Sequence, residues 1–139
     1  MNLPRIALAA VAATIVDALY GFCVYGNLLS SQFAAYPGVY RQMETQGAYM
    51  PILFAGVFLA MIAASVIYAK GYEGGSGVAE GGRFGALVGL LAVGYTAVIG
   101  YAVMNIGRRI AASMAVAAFV EWIVAGIVIG LVYKPASKR

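Results

Sequence analysis

Four long apolar segments constrain the fold of this chain more than any other feature. They cover residues 6–29, 51–69, 84–106 and 110–133. Each has about 20 residues, the length that an α-helix needs to cross about 30 Å of hydrocarbon. Membrane-spanning strands would instead alternate apolar and polar residues and close into a barrel. The pattern therefore predicts a single all-α membrane domain, polytopic, with four transmembrane helices packed as a bundle.

The basic residues lie singly or in pairs at the ends of these segments, although the net charge is +4. This placement favours lipid headgroups as their counterpart, and we expect no nucleic acid to bind. The chain has no histidine, so it lacks the usual axial haem ligand, the commonest zinc ligand and the commonest general base. We expect no cofactor and no metal.

The distribution of these basic residues between the two sides of the membrane predicts an orientation. Cytoplasmic loops carry an excess of lysine and arginine. We therefore expect both termini to lie in the cytoplasm. One side would hold Arg5, Lys70, Arg83, Lys134, Lys138 and Arg139, and the other Arg41, Arg108 and Arg109.

The first loop repeats apolar and aromatic residues at intervals of three and four. With Pro37 suited to a first helical turn, this spacing predicts a short amphipathic helix lying on the outer surface. Its tyrosines would form either an interfacial aromatic belt or a lid or partner-docking face. The repeating positions are Phe33, Tyr36, Tyr40, Met43, Gly47 and Met50.

The second loop, residues 70–83, reads KGYEGGSGVAEGGR and is rich in glycine. It lacks the Lys-Ser or Lys-Thr pair of a phosphate-binding loop and follows no predicted strand. We therefore interpret it as a connector. Glu80 and Arg83, three residues apart at the start of the third segment, are expected to form an ion pair at the cytoplasmic rim.

Two acidic residues, Asp17 and Glu121, lie near the centres of the first and fourth segments. An acidic side chain at this depth costs about 2.5–3.5 kcal/mol on insertion scales, so it normally faces inward and has a partner. Tyr95 and Thr96 lie at the midpoint of the third segment and Tyr20 one turn from Asp17. We predict that these five residues form one intramembrane polar layer.

The polar layer supports two hypotheses. Asp17 and Glu121 could exchange a proton or cation during transport, as intramembrane carboxyls do in pumps, or they could be interhelical hydrogen-bonding groups that fix the helix register. No lysine or arginine lies within the segments as a counter-ion. The sequence therefore favours the structural interpretation.

Small residues at intervals of four predict close packing between helices, because hydrocarbon supplies no hydrophobic force to drive helix association. At least one of these ridges could equally contact another subunit. The three ridges are Gly81, Gly85 and Gly89; Gly56, Ala60 and Ala64; and Gly126 with Gly130.

The stretch KGYEGGSGVAEGGRFG and the ending LVYKP resemble small uncharacterised four-helix bacterial membrane proteins. The resemblance implies a multi-pass protein of the bacterial cytoplasmic membrane and no particular activity or site. Because nearly all the distinctive residues are typical of helix packing or of the membrane interface, we expect a structural or accessory subunit, or an assembly factor, of a membrane complex, with protein partners or self-association. The alternative is a small proton-coupled transporter acting as a homodimer. Ser65 and Ser113 have no nearby base, so an enzyme is not expected.

Overall fold

A computed structural model describes residues 1–134, and Lys138 and Arg139 lie outside the described part. Residues 1–134 form four long helices and one short one, with no strand. The long helices are long and apolar enough to cross a membrane, so the predicted all-α, multi-pass fold is confirmed. The elements are α1 (Leu3–Leu28), α2 (Ser30–Ala34), α3 (Met43–Lys70), α4 (Gly77–Val103) and α5 (Arg108–Val132).

The helices start before the apolar segments do, most clearly in α3, which begins at Met43 instead of residue 51, and in α4, which begins at Gly77 instead of residue 84. Apolar composition marks only the part of a helix that lies in hydrocarbon, whereas backbone hydrogen bonding continues into the headgroup region. At the start of α1 the Asn2 side chain accepts a hydrogen bond from the Arg5 backbone N–H at 3.4 Å, which caps the helix.

Two of the long helices contain a wide turn in which backbone hydrogen bonds skip one extra residue. The turn in α1 covers Val24–Leu28 and the turn in α4 covers Val93–Val98. Such turns occur frequently at functional sites. The turn in α1 is close to the carboxyl pair described below.

Helices α4 and α5 approach so closely that their backbones touch through glycines. A Cβ atom added at Gly81 would collide with the Gly126 carbonyl oxygen, and one added at Gly126 would collide with that of Gly81. Gly77 and Gly130 face each other in the same way. The structure thus places the glycine ridges of the third and fourth segments against each other, with Gly85 and Gly89 continuing the contact along Trp122 and Phe119.

The apolar core lies at the end of the bundle where α1 begins and where α3 and α5 end. In the other half of the bundle, α1 buries only Asp17 and the first half of α3 buries no residue. Helices α1 and α3 therefore pack closely in one half and leave space between them in the other. The core consists of Ile6, Ala9, Ala10, Ala13, Met61, Ala64, Tyr68, Ala69, Ala125, Ile129 and Tyr133.

The predicted ridge on the second spanning helix, α3, is only partly used. Ala64 belongs to the core and Ala60 is half-buried. Gly56 is exposed, and a Cβ added there would meet no atom within 4 Å. Within the described part of the chain, Gly56 therefore takes no part in a close helix–helix contact.

The first loop contains a short helix, as predicted, but in a different place. The helix is α2, which ends before Pro37, whereas the prediction placed Pro37 in its first turn. The chain turns at Tyr36–Tyr40 and Met43 onward joins α3. The Tyr36 hydroxyl accepts a hydrogen bond from the Gly107 N–H at 3.0 Å, and the Tyr40 hydroxyl donates one to the Met114 sulfur at 3.3 Å. These tyrosines pack over the start of α5.

Burial of the Tyr40 hydroxyl raises its pKa, and the neighbouring Tyr36 adds to this effect. The hydroxyl therefore keeps its proton for the hydrogen bond to Met114. Since Tyr36 contacts Gly107, the first and third loops lie on the same side of the bundle.

We expect Gly85→Ala to destabilise the bundle by about 1–3 kcal/mol, because the added Cβ would overlap the Trp122 carbonyl oxygen and stand 2.8 Å from the Ile123 Cα, and backbone atoms cannot move aside as a side chain can. Gly56→Ala is the matched control and should not destabilise. Unfolding in mixed micelles with increasing dodecyl sulfate, followed by the fluorescence of the single tryptophan, measures both. Equal losses would show that the α4–α5 contact is not as close as described.

Candidate functional site

The two intramembrane carboxyls lie together. Asp17 on α1 is 8% exposed, Glu121 on α5 is half-buried, and the two carboxyl groups are within hydrogen-bonding reach of each other. Two carboxyls can hydrogen-bond to each other only if one of them carries a proton. A hydrogen bond between them would therefore leave the pair with at most one negative charge.

Two tyrosines of α1 accompany the pair. The Tyr25 hydroxyl donates a hydrogen bond of 2.8 Å to Glu121 Oε2. The Tyr20 hydroxyl donates one of 2.8 Å to the Ala117 carbonyl oxygen, and the two tyrosine rings meet edge to face with centroids 6.3 Å apart. Tyr20 was a predicted member of the layer. Tyr25, which lies in the wide turn of α1, was not, because regular helical spacing gives no sign of that turn.

Asp17 has little to satisfy it apart from Glu121. Within residues 1–134 no backbone amide, hydroxyl or cationic group donates a hydrogen bond or an ion pair to the Asp17 carboxyl. Burying an acidic group at this depth costs free energy unless a hydrogen-bond donor or a cation interacts with it. Its carboxyl borders a cavity.

The cavity has a volume of about 600 Å³ and lies between α1 and α3 on the side of the first loop. Asp17 and Glu121 belong to its wall, and residues of the first loop cover it. The guanidinium of Arg41, another lining residue, lies over the Tyr49 ring, 3.6 Å from its centroid. The lining includes six aromatic residues, namely Phe22, Tyr25, Phe33, Tyr40, Tyr49 and Phe54.

The structure does not bring Tyr95 and Thr96 to this polar site. Tyr95 is 74% exposed, and the Thr96 hydroxyl donates to the Ala92 carbonyl oxygen of its own helix at 2.8 Å. Helix α4 turns its glycine face to α5, and Ala97 continues that face. Tyr95 and Thr96 lie off that face and point away from the bundle, since depth along a helix does not determine direction around it.

Glu80 and Arg83 do not form the predicted ion pair. Glu80 is 6% exposed, and its carboxylate accepts hydrogen bonds from the backbone N–H groups of Glu73 at 2.7 Å and Gly75 at 2.8 Å. Arg83 instead lies 3.9 Å from the Glu73 carboxylate on the surface. Gly74, with φ of +90°, lets the connector fold back so that its amides reach Glu80. Glu80 therefore holds the connector against the start of α4.

Comparisons with known proteins do not add a name to this site. No protein-family model matches the chain, and neither a curated protein nor a solved structure matches it.

We expect Tyr25→Phe to destabilise the protein by about 1–3 kcal/mol, because it removes the hydroxyl donor from the partly buried Glu121 carboxyl. Tyr95→Phe deletes the same atom from an exposed ring and should change stability by less than about 0.5 kcal/mol. The tryptophan-monitored unfolding described above measures both variants. A larger loss of stability for Tyr95→Phe would show that Tyr95, and not Tyr25, belongs to the polar site.

We expect Glu80→Gln to loosen the connector, because a neutral amide accepts a backbone hydrogen bond less strongly than a carboxylate. Exchange of the Gly75 amide hydrogen should become roughly five- to tenfold faster, which corresponds to about 1 kcal/mol. Glu73→Gln removes only the exposed ion pair and should leave this rate nearly unchanged. Hydrogen–deuterium exchange with peptide-level mass spectrometry measures the rate, and similar rates in both variants would contradict the holding role of Glu80.

Proposed function

We propose that the protein is a small proton-coupled membrane transporter in which Asp17 and Glu121 exchange protons with a bound solute. The observation that supports this most directly is that Asp17 and Glu121 both line the cavity. Carboxyls that served only to fix the helix register would be expected to lie closed between helices, with each oxygen satisfied. The cavity gives the pair access to a ligand.

The arrangement supplies a physical basis for coupling. In a site of low dielectric, a charge on the pair is strongly disfavoured unless a proton or another positive charge compensates it. A proton and a ligand that interact with the same pair compete, so each changes the affinity of the site for the other by the same factor. Tyr25 keeps Glu121 oriented through its 2.8 Å hydrogen bond.

The charge distribution supports an orientation for this transporter. Arg5, Lys70, Arg83 and Lys134 lie at the ends of α1, α3, α4 and α5 that share one side of the bundle. The positive-inside rule favours placing that side in the cytoplasm of a bacterial cell. The cavity would then lie in the outer half of the membrane.

A subunit or assembly factor of a larger membrane complex is a second candidate. The placement of Tyr95 favours it, because an exposed tyrosine within a spanning helix leaves a hydroxyl that a neighbouring helix could satisfy. The same face could serve a homodimer. Native mass spectrometry of gently extracted protein distinguishes these cases, since it reports a second polypeptide or only copies of this chain.

The transport proposal is tested in liposomes that contain the purified protein and a pH-sensitive dye. Small amines, carboxylates, amino acids and sugars are added outside in separate experiments. We expect at least one class to change the internal pH with the wild-type chain, and both Asp17→Asn and Glu121→Gln to reduce the rate at least tenfold, because neither amide can take up and release a proton at neutral pH.

Glu44→Gln is the matched control, since Glu44 is exposed on the first turn of α3 and does not line the cavity. It should transport at the wild-type rate. Thermal unfolding of each variant in detergent shows whether the fold is intact. If no solute class produces a pH change that depends on Asp17 and Glu121, the protein is not a proton-coupled transporter.

A further inference from the structure

We infer that the cavity binds a small organic cation that carries one positive charge on an apolar body. This inference rests on the proposed function and identifies the class of ligand that the cavity takes. It follows from three properties of the cavity: the charge of its carboxyl pair, its aromatic wall and its size.

The charge of the site favours a single positive charge. Because two neighbouring carboxylates repel each other in a site of low dielectric, we infer that Asp17 and Glu121 together carry at most one negative charge. No lysine or arginine of residues 1–134 pairs with them. A monovalent cation beside Asp17 would neutralise the negative charge of the pair, for which the described residues supply no counter-ion.

The lining of the cavity favours an organic ion over an inorganic one. Calcium takes six to eight oxygen ligands, and residues 1–134 contain no group of three or more His, Cys, Asp or Glu side chains that could hold a metal ion. Aromatic rings attract alkylammonium and guanidinium groups through their faces. The rings of Tyr25, Phe22 and Phe54 lie in the same wall as the carboxyls.

The chain itself shows that this aromatic wall accepts a cation. The Arg41 guanidinium lies over the Tyr49 ring at 3.6 Å, and both residues line the cavity. Arg41 belongs to the first loop, whereas Asp17 lies about 16 Å of helix before the end of α1. The ligand cation is therefore placed at the carboxyls, away from Arg41. The other titratable groups of the wall are the hydroxyls of Tyr25, Tyr40 and Tyr49.

The cavity volume of about 600 Å³ is within the range of roughly 300–1,000 Å³ that small-molecule sites occupy. Such a volume admits one aromatic ring bearing a substituted ammonium group. The aliphatic side chains of Leu53 and Val57 line it together with the rings. They would cover the apolar body of the ligand.

The test compares three probes of nearly the same shape on the purified full chain in detergent. Benzyltrimethylammonium is a cation, neopentylbenzene replaces its nitrogen with carbon and is neutral, and phenylmethanesulfonate is an anion. Isothermal titration calorimetry measures their binding. We expect saturable binding of the cation, at least tenfold weaker binding of the other two, and at least tenfold weaker cation binding to the Asp17→Asn/Glu121→Gln double variant.

Two controls keep the result independent of misfolding. Glu44→Gln should bind the cation as the wild-type chain does, and the comparison of the three probes on the wild-type chain needs no variant. If the neutral or the anionic probe binds as tightly as the cation, or if the cation does not bind saturably, the inferred ligand class is wrong. Tighter binding of the anion would instead assign the cavity to ligands recognised by Arg41.

Failure of this inference differs from failure of the proposed function. Carboxyl-dependent binding of the cation without any proton-coupled flux would leave the ligand class standing and overturn transport. Proton-coupled flux of a sugar or a carboxylate without cation binding would support transport and overturn the ligand class.

Discussion

The backbone contact between α4 and α5 is the interaction on which the rest of the bundle depends. In hydrocarbon, helices gain little from burying apolar side chains, so association relies on close van der Waals contact. Gly81 and Gly126 provide that contact by letting one backbone lie against the other. With α4 held in this way, α5 presents its other side to α1 and α3, and that side carries Glu121 next to Asp17. A contact between glycines thus determines where an acidic residue lies.

The two intramembrane carboxyls differ in how well the rest of the protein satisfies them. Glu121 receives a hydrogen bond from Tyr25, whereas Asp17 relies on Glu121 and on whatever occupies the cavity. A site with two fully satisfied carboxyls would be more stable and would have less reason to bind anything. The incomplete satisfaction of Asp17 is therefore the property that connects the stability of the bundle to its proposed activity.

The parts of this structure that could be predicted from sequence are those that depend on position along a helix. The four spans follow from the lengths of the apolar segments, and the similar depth of Asp17 and Glu121 follows from counting residues. The direction of Tyr95 could not be predicted in this way, because it depends on which face of α4 packs against α5. The contact of Tyr25 with Glu121 was not predicted, and Glu80 was expected to pair with Arg83. A wide helical turn in one case and a folded connector in the other change the geometry that regular spacing assumes.

The small side chains between α1 and α3 have a mechanical consequence. Below the cavity, the core that α1 and α3 share includes the methyl groups of Ala9, Ala10, Ala13 and Ala64. Alanine has no rotatable heavy-atom side chain to disentangle, so two such surfaces can slide or part with little steric resistance, and lipid tails solvate the exposed methyls as well as protein does. A rocking motion of α1, of the kind that the proposed transport would need, would therefore meet little steric resistance from these four side chains.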